Sequence, residues 1–340
     1  MYILFINRFA MGKKLSIILP VYNVEPYIER CIESIENQDI SLDDYEIIIV
    51  NDGTPDDSMR IVNRLQHQYG NIIVVSKENG GLSSARNMGL CYASGDYVWF
   101  IDSDDYIDPN VLSAILTRAY YDDLDVLGFY NKDIYSDGRI FYPSTPKPSA
   151  PVDGLTFLSH YTLSVAAWSH IAKRSLYTDY GIRFTEGIYH EDYEYMLSLF
   201  EHCGRIAYMD ICPYNYLIKI GGASITNTRN VAHLRKRLDS WKVIIRNLNE
   251  KYSDTADSTH YAHYAALWRN VYKYHALSAL LMFPLPLKDK FEYVAKFKET
   301  GMFPVGETCG FNMRRRWIAK FYSSVLLYKL SLVLWHVLKE

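Results

Sequence analysis

Phe100-Ile-Asp-Ser-Asp-Asp105 is the segment whose residue types and spacing are best suited to chemistry. Asp102, Ser103 and Asp104 put two carboxylates at alternate positions after an apolar run. That spacing can offer oxygens to a hard divalent cation and leave coordination positions for phosphate. Three carboxylates within four residues repel one another unless something cationic stands among them. The plainer alternative is a turn and cap, with Asp105, or Asp108 before Pro109, capping the next helix. Asn51-Asp52-Gly53-Thr54 follows a second apolar run. Asp52 there could accept hydrogen bonds from a base or ribose, or it could form an ordinary Asx-Gly turn. Lys77–Asn87 (KENGGLSSARN) joins a Gly pair, Ser83 or Ser84 as a helix cap, and Arg86 in the first turn. A helix N-terminus with an arginine suits an anionic phosphate; the alternative is a capped helix with a surface arginine. It is no P-loop, because no GK[ST] follows. In Tyr189-His-Glu-Asp192, Glu191 and Asp192 are candidate general bases, a role typically worth about 10²–10⁴-fold. The alternative is an acidic first helical turn. No GxGxxG, HExxH, GxSxG or EF-hand pattern is present, and the histidines lack metal-ligand spacing.

These clusters need elements to position them. Leu15–Leu19 and Glu46–Val50 read as buried strands, Asn71–Ser76 and Tyr97–Ile101 as two further strands, 27–38 and 56–69 as amphipathic helices and 83–93 as a short helix. Strands alternating with helices imply a parallel sheet covered on both faces. Ligands bind such sheets beyond the carboxyl ends of the strands. Pro20–Asn23, Asn51–Gly53 and Asp102–Asp105 all fall at such ends. From Asp125 the signals alternate less regularly, with a Pro-rich loop at 143–151. After Asn230 the chain reads as helical, over 231–250, 259–283 and 311–338. The expected division is an extension at 1–14, a ligand-binding half at 15–110, a second half at 111–230 and a helical region at 231–340.

The 340 residues are 49% hydrophobic and 22% charged, which excludes a disordered or collagen-like chain. The net charge of -3 conceals a split: residues 1–230 carry 18 Lys+Arg against 30 Asp+Glu, and residues 231–340 carry 18 against 9. Five scattered cysteines without a CxxC pair support neither a disulfide framework nor a zinc ribbon, and suit a reducing cytoplasm. The first residues make a poor signal peptide, and Met11 before Gly-Lys-Lys is a candidate start. No uncharged apolar run reaches the ~18 residues of a spanning helix.

Taken in order, Ser16–Asn23 (SIILPVYN), Glu46–Ser58 (EIIIVNDGTPDDS), Asn79–Gly89 (NGGLSSARNMG), Gly95–Asp105 (GDYVWFIDSDD) and Glu191-Asp192 resemble glycosyltransferase family 2, the inverting family with the GT-A fold. The resemblance is close over 15–110, looser to about 226 and absent beyond. It implies an α/β fold with a mostly parallel sheet, followed by the helical region. Pro20, Val21 and Tyr22 would pack around the nucleobase and Asp52 would bind it, usually as uracil. Asn79 and Arg86 would lie near ribose and diphosphate. Asp102 and Ser103 would belong to the nucleotide-sugar site, and Asp102 and Asp104 would hold Mn²⁺ or Mg²⁺. Asp192, with Glu191 beside it, would be the base in a single in-line displacement. Lys219–Thr226 (KIGGASIT) resembles a loop closing over the diphosphate, with Ser224 as contact. The QxxRW motif of polymerising members is missing, since Arg315-Arg-Trp317 lacks its context.

The resemblance makes the expected partners a nucleotide-sugar donor and a glycan or lipid-linked glycan acceptor, as in bacterial surface polysaccharide. Residues 311–340 carry six Lys/Arg against one acidic residue, interleaved with aromatics. That composition suits an interfacial helix on an anionic membrane, here the inner face of the plasma membrane. A helix packed on the protein, or a homodimer contact, is the alternative. Nucleic acid is not expected, because the acidic half carries no reader motif. Two other functions stay open: a sugar-nucleotide nucleotidyltransferase, whose Gly-rich basic signature Pro20–Pro26 lacks, and a non-catalytic nucleotide-binding scaffold.

Overall fold

The structure is a computed structural model that describes residues 12–143, 145, 147–219, 230–252, 260–308 and 312–338. Met11 and Ser224 lie outside them. The first part of the chain alternates strands and helices: β1 (Leu15–Val21), α1 (Glu25–Glu36), β2 (Tyr45–Asn51), α2 (Ser58–Gln68), β3 (Ile72–Ser76), α3 (Leu82–Tyr92), β4 (Tyr97–Phe100). Then follow β5 (Tyr106–Ile107), α4 (Leu112–Tyr121), β6 (Val126–Gly128), β7 (Asn131–Tyr135), β8 (Ile140–Phe141), α5 (Gly154–His160), β9 (His170–Lys173), α6 (Arg174–Asp179), α7 (Asp192–Glu201), β10 (Ile206–Tyr208) and β11 (Tyr214–Ile218). The rest is helical: α8 (Val231–Lys251), α9 (His260–Met282), α10 (Leu287–Glu299), α11 (Met313–Tyr322) and α12 (Val325–Val337).

The chain divides into two compact units. The first takes residues 12–154, 164–187 and 198–219. Its seven-stranded sheet runs β10-β6-β9-β4-β1-β2-β3. β1 pairs in parallel with β2 and β4, and β2 with β3; β9 runs antiparallel between β4 and β6. The β-branched runs of β1 and β2 are buried on both faces, as a covered parallel sheet requires. Ile28, Cys31, Ile32 and Ile35 form the buried stripe of α1, at the helical spacing read from the sequence. A second sheet, β5-β11-β7-β8, lies in the same unit. It supplies Tyr214 and Leu217 to the segment after β4.

Two expected caps are replaced. Asp105 and Asp108 do not cap α4. Gln38 Oε1 accepts from the Val111 and Leu112 amides, and Asp39 Oδ1 from Ser113. Neither Ser83 nor Ser84 caps α3. Its N-cap is Gly81, at φ +87°, which has no side chain to offer the first turn and gives its own amide to Asp52. A left-handed cap favours glycine.

The second unit takes residues 155–163, 188–197 and the described residues after 229. The helices expected at 231–250 and 259–283 are α8 and α9. α10 was not foreseen, and the stretch at 311–338 is two helices, broken at Ser323-Ser324 and bent by 106°. Ser324 caps α12 through Leu327 N. Residues that prefer caps break a helix when flanked by apolar turns. Buried tyrosines tie this unit together: Tyr261 donates to Leu197 O at 2.6 Å, and Tyr328 to Leu277 O at 2.6 Å. Among the described residues no single helix is long and apolar enough to cross a membrane.

Candidate active site

The turn after β4 is the centre of the first unit's polar cluster. Asp102 sits where the buried strand ends. Its Oδ1 accepts from Arg86 Nη2 at 2.8 Å. Arg86 is 1% exposed, and its guanidinium lies 5.1 Å from the Phe184 ring centroid. A surface arginine is therefore ruled out; this one is fixed in the wall of the unit. Lost solvation raises the Asp102 carboxyl above its usual range, Arg86 opposes that, and Asp104 adds to it. Ser103 donates to Pro20 O, which joins the end of β4 to the end of β1. Asp104 faces a different cation, with Lys219 Nζ 2.7 Å from its Oδ2. Lys219 also lies 4.0 Å from the Tyr27 ring centroid.

Asp105 is a structural member of the trio. It is 1% exposed and accepts from the Tyr214 hydroxyl and the Leu217 amide, each at 2.7 Å. Burial raises its carboxyl well above the usual range, with Asp104 and Asp102 adding to the effect. Tyr214 in turn accepts from Asp102 N and stacks on Trp168 at 4.4 Å. Sequence reasoning missed Tyr214 because nothing local marks it; the antiparallel pairing of β11 with β5 brings it there.

At the end of β2, Asp52 is 3% exposed and already engaged. Its Oδ1 accepts from Lys77 Nζ at 2.8 Å and Gly80 N at 2.9 Å, and its Oδ2 from Gly81 N at 2.7 Å. A carboxylate has about four acceptor directions, so about one is left for a ligand. Asp52 thus shapes the 77–81 loop and with it the start of α3. The foreseen segment held Lys77, but not its role. Of Pro20, Val21 and Tyr22, the first two are buried and only Tyr22 is exposed. Asn79 is exposed on the loop. The first unit therefore gathers Asp52, Arg86, Asp102, Ser103 and Asp104, with Tyr22 and Asn79 open to solvent.

Glu191 and Asp192 belong to the second unit. Asp192 is the first residue of α7 and half-buried, while Glu191 is buried and its carbonyl accepts from Tyr195 N. The turn before them is unusual. His190 has φ +64°, sparsely populated for a residue with a Cβ. Its ring stacks on Trp241 at 4.9 Å, and Nε2 accepts from Arg237 Nε at 3.4 Å. Burial, then Arg237 and His233, push the imidazole down to about 3. It is neutral at physiological pH and carries its proton on Nδ1.

Among the described residues no three His, Cys, Asp or Glu side chains gather as a metal site. The donor set after β4 is two hard carboxylates, one of which already draws an ammonium. That fits a hard divalent cation completing its shell with diphosphate and water, and does not fit an all-protein cage.

Comparison with known proteins agrees with this geometry. The family model for glycosyl transferase family 2 matches residues 16–172. The chain is 36% identical over 211 residues to the uncharacterized glycosyltransferase EpsJ of Bacillus subtilis, covering 59% of this chain and 60% of that protein. It is 26% identical over 305 residues to the minor teichoic acid biosynthesis protein GgaB of the same organism, covering 79% of this chain and 33% of GgaB. The chain thus spans less than two thirds of the length of EpsJ and one third of that of GgaB. In fold it is similar to S. aureus TarS residues 1–349, crystallised with UDP-GlcNAc, with a TM-score of 0.71, 20% identity, and coverage of 94% of this chain and 89% of that one. The fold of the first unit is thus that of a GT-A sheet, and its residues 16–172, which hold the motifs at the ends of β1, β2 and β4 and at the start of α3, match the model of glycosyl transferase family 2.

Proposed function

We propose that this protein transfers a single sugar, with inversion, from a nucleotide-sugar, a UDP-sugar, to a carbohydrate acceptor carried on a lipid, in the assembly of a cell-surface polysaccharide. One observation carries the donor part: Arg86 is buried and paired with Asp102 immediately beyond β4, in a helix whose N-cap is a glycine. A fixed guanidinium and the N-terminal end of a helix together suit a diphosphate. GgaB, a teichoic acid biosynthesis protein, supports the polymer class. TarS with its bound UDP-GlcNAc supports the donor class.

In this reading Tyr22 covers the base, while Asp52 holds the 77–81 loop in shape and offers its remaining acceptor to the base. Asn79 and Ser103 flank the ribose. Arg86 orients the diphosphate and stabilises the charge that grows on it as the sugar leaves. Asp102 and Asp104 would hold Mn²⁺ or Mg²⁺, which would supply further positive charge against the departing diphosphate. Asp192 takes the proton of the acceptor hydroxyl. The new C–O bond forms at the anomeric carbon on the face opposite the breaking one. Asp192 is preferred to Glu191 on the family pattern, and the half-buried position of Asp192 against buried Glu191 supports that choice.

Asp192→Asn tests the assignment. Donor affinity measured by calorimetry is expected to stay within about twofold, while transfer falls by about 10³ or more. Unchanged transfer would remove Asp192 from the base role.

A further inference from the structure

In the second unit, α11 and α12 each bury one narrow face and leave a broad apolar one open. On α11, Ala319 and Tyr322 are buried, whereas Met313, Trp317 and Phe321, spaced four apart, are exposed. On α12, Tyr328 and Leu332 are buried, whereas Leu326, Leu330 and Leu334, again four apart, are exposed together with Val337 and Leu338. Leu326 is 77% exposed and Leu338 82%. A stripe of large aliphatic side chains at helical spacing marks a surface that something covers.

Charge and length identify the cover. Arg314, Arg315, Arg316, Lys320 and Lys329 are exposed around this stripe, and no Asp or Glu occurs from residue 312 to 338. A second copy docked by the same face would set like charges opposite one another in a two-fold contact. An anionic surface complements the face instead. α12 has 13 residues, so alone it reaches only about 20 Å, short of the ~30 Å hydrocarbon core, and α11, which with it would have the length and composition of a span, is bent away from it by 106°. Tyr328 ties its inner face to Leu277 O, and the Tyr322 ring of α11 stacks on Tyr274. The helices cannot cross a bilayer while held in this way. We propose that the outer faces of α11 and α12 lie flat on an anionic lipid bilayer, with Leu326, Leu330, Leu334 and Trp317 among the acyl chains and the arginines at the phosphates.

This inference does not depend on the transferase reading, and its test uses no sugar. The full chain is mixed with vesicles of phosphatidylcholine containing one third phosphatidylglycerol, or of phosphatidylcholine alone, and floated. Capture by the anionic vesicles is expected to exceed capture by the neutral ones by at least about tenfold, and to weaken with salt. The triple variant Arg314→Ala/Arg315→Ala/Arg316→Ala is expected to lower the partition coefficient about a hundredfold, at about fivefold per cation. Leu330→Glu/Leu334→Glu is expected to abolish capture, with the wild-type melting curve retained. All three arginines are exposed, so the triple variant reports on lipid even if the leucine variant misfolds. No capture, equal capture by neutral vesicles, or an unaffected arginine variant would overturn the proposal. So would a concentration-dependent dimer, seen by sedimentation and dissolved by the leucine variant, in a chain that does not float.

Discussion

At the scale of single residues, the motif carboxylates divide by environment. Asp102 pairs with a buried guanidinium, Asp104 with an ammonium at the rim, and Asp105 with a hydroxyl and an amide. Asp105 is accordingly part of the framework, while Asp102 and Asp104 are the two proposed to hold the metal. Arg86→Lys keeps the charge but loses the planar fork. It is expected to fold and to lower kcat/KM for the donor on the order of a hundredfold. Wild-type kcat/KM in this variant would mean that Arg86 only supports Asp102. His190 gives a pH prediction. Its pKa is lowered in the fold to about 3, from an unfolded value near 6.5. The unfolded chain therefore binds the extra proton between those values, so this contribution to stability is intact above about pH 6.5 and is lost as pH falls toward 3. Within that window the loss approaches about 1.4 kcal/mol per pH unit. His190→Gln is expected to flatten the fall of the melting temperature between pH 6.5 and 4. Parallel curves for wild type and variant would contradict it.

At the scale of elements, α3 shows what the sequence states and what it hides. Its place after a Gly pair is legible in NGGLSSARNMG. The reason for Gly89 is not: a Cβ there would stand 2.4 Å from Ile18 Cγ2 of β1. Gly89→Ala is expected to cost about 1–3 kcal/mol by overpacking, read as a lowered denaturation midpoint. Gln38 is a second hidden device. One side-chain amide accepts from the amides of Val111, the N-cap, and Leu112, the first residue of α4, and donates to Asp108 O and Ser34 O. Gln38→Ala is expected to cost about 1–2 kcal/mol, as the loss of a cap does. Local pattern marked the strands, the helices and the polar clusters, because period and turn chemistry are local signals. It missed Gln38 as a cap, Tyr214 under the Asp102 turn and Lys219 on Asp104, because each partner is supplied by an element distant in sequence.

At the scale of the whole molecule, the charge split of the sequence acquires content. Five acidic residues of the first unit, Asp52, Asp102, Asp104, Asp105 and Asp108, are each matched by a cation or a hydrogen-bond donor. The basic residues of α11 are exposed beside apolar ones. The account rests centrally on the first unit being a donor site built around Asp102 and Asp104. The most direct measurement is calorimetric titration of UDP-sugars, with Mn²⁺ present, into the wild-type chain and into Asp102→Asn/Asp104→Asn. The account predicts that the wild type binds at least one UDP-sugar in a Mn²⁺-dependent manner, and that the double variant, still folded by circular dichroism, loses that binding by about 10²-fold or more. Equal affinity in the two proteins, or no binding of any nucleotide-sugar by the wild type, would contradict it.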